Sequence, residues 1–166
     1  MGKVQNVFGY GTPGTPTRSI DTVIISVRNA SDMDIPFGAP VFMNDNGAEP
    51  FSTTTQQDFT TFLGFAVNPK DKTPDTYPQG QFNDPPRSTW HPGDLMEVLV
   101  RGSIAIETSV SGASGGKLYI RKTDGKIVTS AGASGTTVLL ENVRIRKPRT
   151  GWTSCCEAIV NKRNIL

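Results

Sequence analysis

The sequence predicts an all-β domain, a small β-barrel or sandwich, that carries an extended N-terminal arm and a long proline-rich loop. Short apolar runs alternate with polar residues as in strands, and no segment sustains the apolar period of a helix. Turn-forming residues are frequent, with 17 glycines and 12 prolines among 166 residues. The length suits one domain, which we place at residues 20–146.

Residues 1–19 are predicted to form the arm. Glycine and proline recur through this stretch, which excludes a helix and gives a strand no alternating apolar face. Phe8 and Tyr10 are its aromatic side chains. We predict that they dock on a neighbouring molecule as the arm becomes ordered, and a floppy terminus is the alternative.

Three strands are predicted in the first half of the domain, at 22–28, 38–43 and 62–67. Pro36 and Pro40 flank and enter the second strand, which favours a position at the edge of a sheet. Gly64 lies at the centre of the third strand. A glycine there indicates a bulge or a close approach of another backbone.

A long loop is predicted at residues 68–92, where six prolines occur. A loop of this length without regular structure is generally functional or disordered. It carries three aromatic side chains, Tyr77, Phe82 and Trp90. Such rings cover the core or contact a partner subunit, and we predict that these three contact a partner.

The second half of the domain is predicted to contain strands at 95–101, 103–110, 117–122, 127–129, 136–140 and 142–146. Gly102 separates the first two, and Thr123-Asp124-Gly125-Lys126 forms a hairpin turn. Residues 147–166 are predicted to be a basic C-terminal tail. Within it, the pattern at 155–162 fits a strand or a short helical turn equally.

Charge is distributed unevenly along the chain. Residues 1–116 carry 7 basic and 12 acidic side chains, whereas residues 117–166 carry 10 basic and 3 acidic ones. The densest basic group, with one tryptophan nearby, is predicted to contact a partner molecule or a neighbouring subunit: Arg144, Arg146, Lys147, Arg149 and Trp152. The scarcity of aromatic residues around it disfavours nucleic acid, and an acidic protein surface or plain solvation fits better.

Enzymatic chemistry is not indicated. The single histidine, His91, precedes a Pro-Gly turn, and a catalytic interpretation would need Asp94 to orient it and Ser88 or Ser154 to act as nucleophile. No motif supports that arrangement, so we predict no catalytic residue, no cofactor and no metal. Cys155 and Cys156 are adjacent, which disfavours a disulfide and a metal site. No apolar run is long enough to span a membrane.

The order of these signals resembles the structural cement and head-decoration proteins of tailed bacteriophages. The segments that carry the resemblance are Gly38-Ala39-Pro40-Val41, a turn with Gly47, Phe62-Leu63-Gly64-Phe65-Ala66, Pro92-Gly93-Asp94, Met96-Glu97-Val98-Leu99-Val100 and Gly102-Ser103-Ile104. The resemblance covers residues 34–146. The proline-rich loop and the basic tail depart from the compact pattern of the family.

The resemblance implies a structural protein that binds the outside of a phage capsid, between subunits of the major capsid protein, and stabilises the shell. It implies a homo-oligomer, with a trimer favoured and a dimer as the alternative. The chain would then reside on the exterior of the virion, after assembly in the host cytoplasm. A second hypothesis is a tail or head-fibre domain that binds a receptor or a glycan through the aromatic loop.

Overall fold

The computed structural model describes residues 12–18, 20–52, 61–69, 89–149 and 154–164. These residues form eleven β-strands and no α-helix, so the predicted all-β class is confirmed. The strands are β1 (Val23–Arg28), β2 (Ile35–Pro36), β3 (Pro40–Asn44), β4 (Gly47–Pro50), β5 (Phe62–Ala66), β6 (Thr89–Trp90), β7 (Leu95–Glu107), β8 (Lys117–Arg121), β9 (Ile127–Val128), β10 (Thr137–Lys147) and β11 (Cys155–Val160). In this described part, no helix is long and apolar enough to cross a membrane.

Five strands form a small barrel. β4, β3, β5 and β7 pair in that order, and β1 pairs with the opposite edge of β7. The ring closes just after β1, where Asn29 bridges Ala48 of β4 and the Ala30 N–H donates to the Ala48 carbonyl at 2.8 Å. The barrel core consists of buried side chains: Ile35, Val41, Ala48, Leu63, Ala66, Trp90, Met96, Val98 and Val100.

The second half of β7 leaves the barrel and begins a second sheet, in the order β7, β11, β10, β8 and β9. The predicted break at Gly102 is wrong, because β7 runs for 13 residues through that glycine, whose φ is +119°. The inner face of the second sheet packs on the outside of the barrel. Ile104 and Ile106 of β7 lie there in one buried cluster with Phe42 and Phe65.

Gly64 marks the close approach that the sequence predicts. A Cβ atom on this residue would lie 2.1 Å from the Leu99 carbonyl oxygen of β7. A distance of 2.1 Å is far too short for a carbon and an oxygen atom that are not bonded to each other. Because glycine occupies the position, β5 can pair closely with β7.

Two predictions about strand position are wrong. β3 lies between β4 and β5 instead of at an edge, and Pro40 is accommodated because it is the first residue of the strand. The two strands expected at 136–146 are one strand, β10. Its irregularity falls near Asn142, which has a φ of +59° and shifts the pairing with β8.

The end of the chain is part of the second sheet. β11 lies between β7 and β10, so the predicted basic tail at 147–166 contains an inner strand. Of the two alternatives for residues 155–162, the strand is the one observed. The sequence of β11 lacks alternating apolar and polar residues because both faces of this strand are covered. Even Glu157 is only 2% exposed.

Residues 12–18, the described part of the predicted arm, lie against the domain itself, and we call them the strap. Pro16 bridges Ile104 of β7. The Gly14 N–H donates to the Ala105 carbonyl at 2.8 Å, and the Ala105 N–H donates to the Thr15 carbonyl at 2.9 Å. The strap therefore pairs with the edge of β7 opposite β11. Phe8 and Tyr10 lie outside the described residues.

Candidate interaction surface

The outer face of the second sheet carries positive charge. Val143 and Ile145 of β10 are buried in the core, so Arg144 and Arg146 point to the opposite side. β8 contributes Lys117, which is exposed and lies directly opposite Arg144 in the register. We call these three residues the basic face. Like charges opposite each other destabilise a strand pair, and an acidic partner would relieve the repulsion.

The four basic residues predicted to act together are divided by the structure. Arg146 Nη1 donates to Ser103 Oγ at 3.3 Å, which fixes its guanidinium over β7. Arg149 Nη1 donates instead to the Thr108 carbonyl at 3.2 Å. It lines a separate depression together with Lys126. Lys147 lies at the end of β10, opposite Glu157.

Glu157 connects the strap to the basic face. Its side chain is 3% exposed in the middle of β11, and the carboxylate accepts a hydrogen bond from Thr17 Oγ1 at 2.7 Å. Arg18 Nε approaches the same oxygen, Oε1, at 3.3 Å. A buried carboxylate needs such partners because transfer from water is costly. The strap thereby brings Arg18 to the edge of the basic face.

A depression of about 550 Å³ lies between the strap and the second sheet. Arg18, Arg101 and Arg146 line it together. Arg101 Nη2 lies 2.7 Å from Asp21 Oδ2 in an exposed ion pair. Sequence reasoning missed Arg18 and Arg101, because their isolated positions in the chain carry no signal of this convergence.

Of the aromatic residues predicted to contact a partner, Trp90 lies in the core. Trp90 is 2% exposed, its Nε1–H donates to the Val67 carbonyl at 3.0 Å, and its ring meets Phe37 edge-on at 5.8 Å between centroids. It therefore covers the core, and we exclude it from the proposed contact surface. Tyr77, Phe82 and Trp152 lie outside the described residues. The aromatic binding face of the receptor or glycan hypothesis thus loses one of its three rings.

The described contact of the His91 ring is with Asp34, whereas the catalytic interpretation requires Asp94 at that position. His91 Nδ1 lies 2.8 Å from Asp34 Oδ1 in a pair that is about half exposed. Asp94 Oδ2 accepts a hydrogen bond from the His91 backbone N–H at 2.9 Å, which is a turn contact. Ser88 lies outside the described residues. Within the described part, no group of three or more potential ligands could hold a metal ion.

The two cysteines are buried and are thiols, not the halves of a disulfide. Burial raises the pKa of the Cys156 thiol to about 11, and it raises the pKa of Cys155 as well. Both side chains are therefore protonated near neutral pH, where the thiolate is the reactive form. They act as small core residues of β11.

Comparisons with known proteins identify the family. The model of the family described as "Structural cement protein (E217 gp24/Pam3 gp6)" matches residues 2–158. The chain belongs to the phage structural cement protein family. It is thus a structural virion protein that stabilises a phage capsid. The family prediction made from the sequence is confirmed.

A solved structure shares the fold of this cement protein. A chain of the capsid of Myoviridae phage XM1 superposes with a TM-score of 0.71 at 12% sequence identity. The alignment covers 97% of this chain and 96% of the other. At this identity the likeness concerns the fold alone. No curated protein sequence matches this cement protein significantly.

Proposed function

We propose that this cement protein binds the outer surface of the capsid, between neighbouring major capsid protein subunits, with its basic face turned towards the shell. Arg144 and Lys117 carry the proposal, because two cations that lie opposite each other on adjacent strands, with Lys117 exposed, favour an acidic partner. The inner face of the same sheet is already covered by the barrel. The protein would act on the exterior of the virion after assembly in the host cytoplasm.

The binding test uses empty capsids of the same phage and the purified full-length chain. We expect the double variant Arg144→Glu with Arg146→Glu to bind about tenfold more weakly or worse, since opposed charges at the contact become like charges. Sedimentation with the capsids measures the bound fraction. The control, Lys122→Glu with Lys126→Glu, changes the net charge equally but on the β8–β9 hairpin. Equal binding by the two double variants would refute the proposed orientation.

We further propose that the protein works as a homo-oligomer, with a trimer favoured over a dimer. Val23 and Ile24 of β1 are 38% and 39% exposed, and Ile20 just before them is 88% exposed. Among the described strands, β1 forms a ladder with β7, and its other edge is bridged to β4 only just beyond the strand, at Asn29 and Ala30. The part of that edge before the bridge supports association between copies. Sedimentation equilibrium should give three times the chain mass. A monomer at the concentrations used for capsid binding would exclude a preformed oligomer.

We assign this protein no enzymatic activity and no cofactor. The assignment is supported by the contacts of His91 and Asp94, which pair with Asp34 and with the backbone. Its role is mechanical, since many modest contacts repeated over a lattice sum to a stable shell. Substituting His91→Ala should leave capsid binding unchanged, whereas the charge reversal above should not.

A further inference from the structure

The depression between the strap and the second sheet has the chemistry of a carboxylate-binding site. Three arginines from distant parts of the chain line it: Arg18 of the strap, Arg101 of β7 and Arg146 of β10. Ile20 and Ile159 add apolar wall. Arginine is suited to such a site because its planar fork of donors matches the two oxygens of a carboxylate.

Each guanidinium is oriented by one hydrogen bond to the protein. Arg18 Nε donates to Glu157, Arg101 Nη2 donates to Asp21, and Arg146 Nη1 donates to Ser103. A guanidinium carries five N–H donors, so each keeps donors for a ligand. Orientation before binding lowers the entropy that a partner must lose when it docks.

The charges of the depression leave a positive excess. The three arginines face two carboxylates, Asp21 on the rim and Glu157 behind the strap. The Glu157 side chain is buried, so it neutralises Arg18 without occupying the depression. Arg144 lies two residues from Arg146 on the same face of β10 and adds to the potential. An anionic group is therefore favoured over a cationic or neutral one.

We propose that this depression binds a carboxylate side chain on an acidic segment of the major capsid protein, with an apolar neighbour of that side chain on Ile20 and Ile159. This inference rests on the proposed function and specifies the partner at that surface. A peptide segment fits better than nucleic acid because Ile20 and Ile159 give the wall an apolar part, and none of the described residues that line the depression is aromatic and able to stack on a base.

The test centres on Arg101, because replacing Arg18 would leave the buried Glu157 with fewer partners. The full-length variants Arg101→Gln and Arg101→Lys are compared with Arg121→Gln, in binding to empty capsids. Arg121 is a matched control, since it is similarly exposed, pairs with one aspartate and lies outside the depression. Melting curves within about 2 °C of the unmodified chain would show that all variants fold.

We expect Arg101→Gln to weaken capsid binding about tenfold, because one charge-assisted hydrogen-bonded pair is lost. Arg121→Gln should leave capsid binding unchanged. Arg101→Lys should restore little, because an ammonium cannot form the fork. Full rescue by lysine, or equal binding by the Gln variants, would overturn the proposal. If Arg101→Gln binds normally while the basic-face reversal fails to bind, the capsid orientation survives and the carboxylate site falls.

Competition identifies the chemical class of the ligand. Hexaglutamate should displace the unmodified chain from capsids. For each protein, the inhibitory concentration of hexaglutamate is divided by the concentration of that protein that half-saturates the capsids. This ratio should be lower for the unmodified chain than for the Arg101→Gln variant. A short DNA duplex should compete without dependence on Arg101. Competition by the duplex that vanishes in Arg101→Gln would assign the site to nucleic acid and contradict the proposal.

Discussion

The barrel and the second sheet share β7 but use their faces differently. All five residues of β5 in the barrel are buried, so that strand is covered on both sides. β10 in the second sheet alternates, with Val143 and Ile145 buried and with Arg144 and Arg146 on the open side. We therefore regard the barrel as the scaffold and, among the described residues, the outer side of β10 as the place for the partner that we propose.

The strap adds to this difference. It pairs with the part of β7 that belongs to the second sheet and supplies Arg18 to the depression. It is also attached to the barrel side, because the Asn68 N–H donates to the Gly14 carbonyl at 2.8 Å. One short segment thus links the scaffold to the contact surface, which is why its loss should affect both.

The largest expected effect breaks the scaffold. Substituting Gly64→Ala places a methyl group against the Leu99 carbonyl and should lower the free energy of unfolding by about 3 kcal/mol or more. In the control Gly115→Ala, the added methyl meets nothing within 4 Å, and the positive φ of +79° costs about 1 kcal/mol. Denaturant unfolding measures both, and similar losses in the two variants would contradict the close β5–β7 pairing.

A smaller effect separates the strap from the residues before it. Deleting residues 1–18 removes Thr17 and Arg18 and leaves the Glu157 carboxylate buried without them, at a cost of about 3 kcal/mol. Deleting residues 1–11 keeps all of the strap contacts described above and should leave the melting temperature close to that of the full chain. Glu157→Gln should recover part of the loss in the longer deletion. Identical melting temperatures for the two deletions would mean that the strap is dispensable for folding.

The smallest effect concerns an exposed turn of the second sheet. The Arg121 guanidinium, hydrogen-bonded to Asp124, lowers the pKa of that carboxyl to about 2. The pair therefore contributes stability above the ordinary aspartate range, and the contribution disappears as the pH falls towards 2. Arg121→Gln should raise the Asp124 pKa towards its usual value in an NMR titration. An unchanged midpoint would show that other contacts set the pKa.

Much of the scaffold was predictable because alternation and glycine placement are local signals. Gly64 indicated a close backbone approach, and the structure shows it against Leu99. The edge position predicted for β3 was wrong because proline at the first residue of a strand leaves no ladder bond unpaired. The position of β11 inside the sheet was not predicted. A strand that is covered on both faces does not need alternating apolar and polar residues, so its sequence lacks the usual strand pattern.

The proposed contact surface was only partly predictable. Arg144 and Arg146 follow from the alternation of β10, which places both on one face. Arg18 and Arg101 join them through long-range pairing of the strap and β11 with β7, which no local pattern reveals. Trp90 was misassigned because a tryptophan in a predicted loop gives no indication of whether its ring turns inward.

A reconstruction of the intact particle by cryo-electron microscopy tests the central claim most directly. We predict density for this cement protein on the capsid exterior, with the basic face and the strap against major capsid protein subunits and the barrel turned away. Density inside the shell, or a barrel turned to the capsid with Lys117, Arg144 and Arg146 facing solvent, would contradict the account.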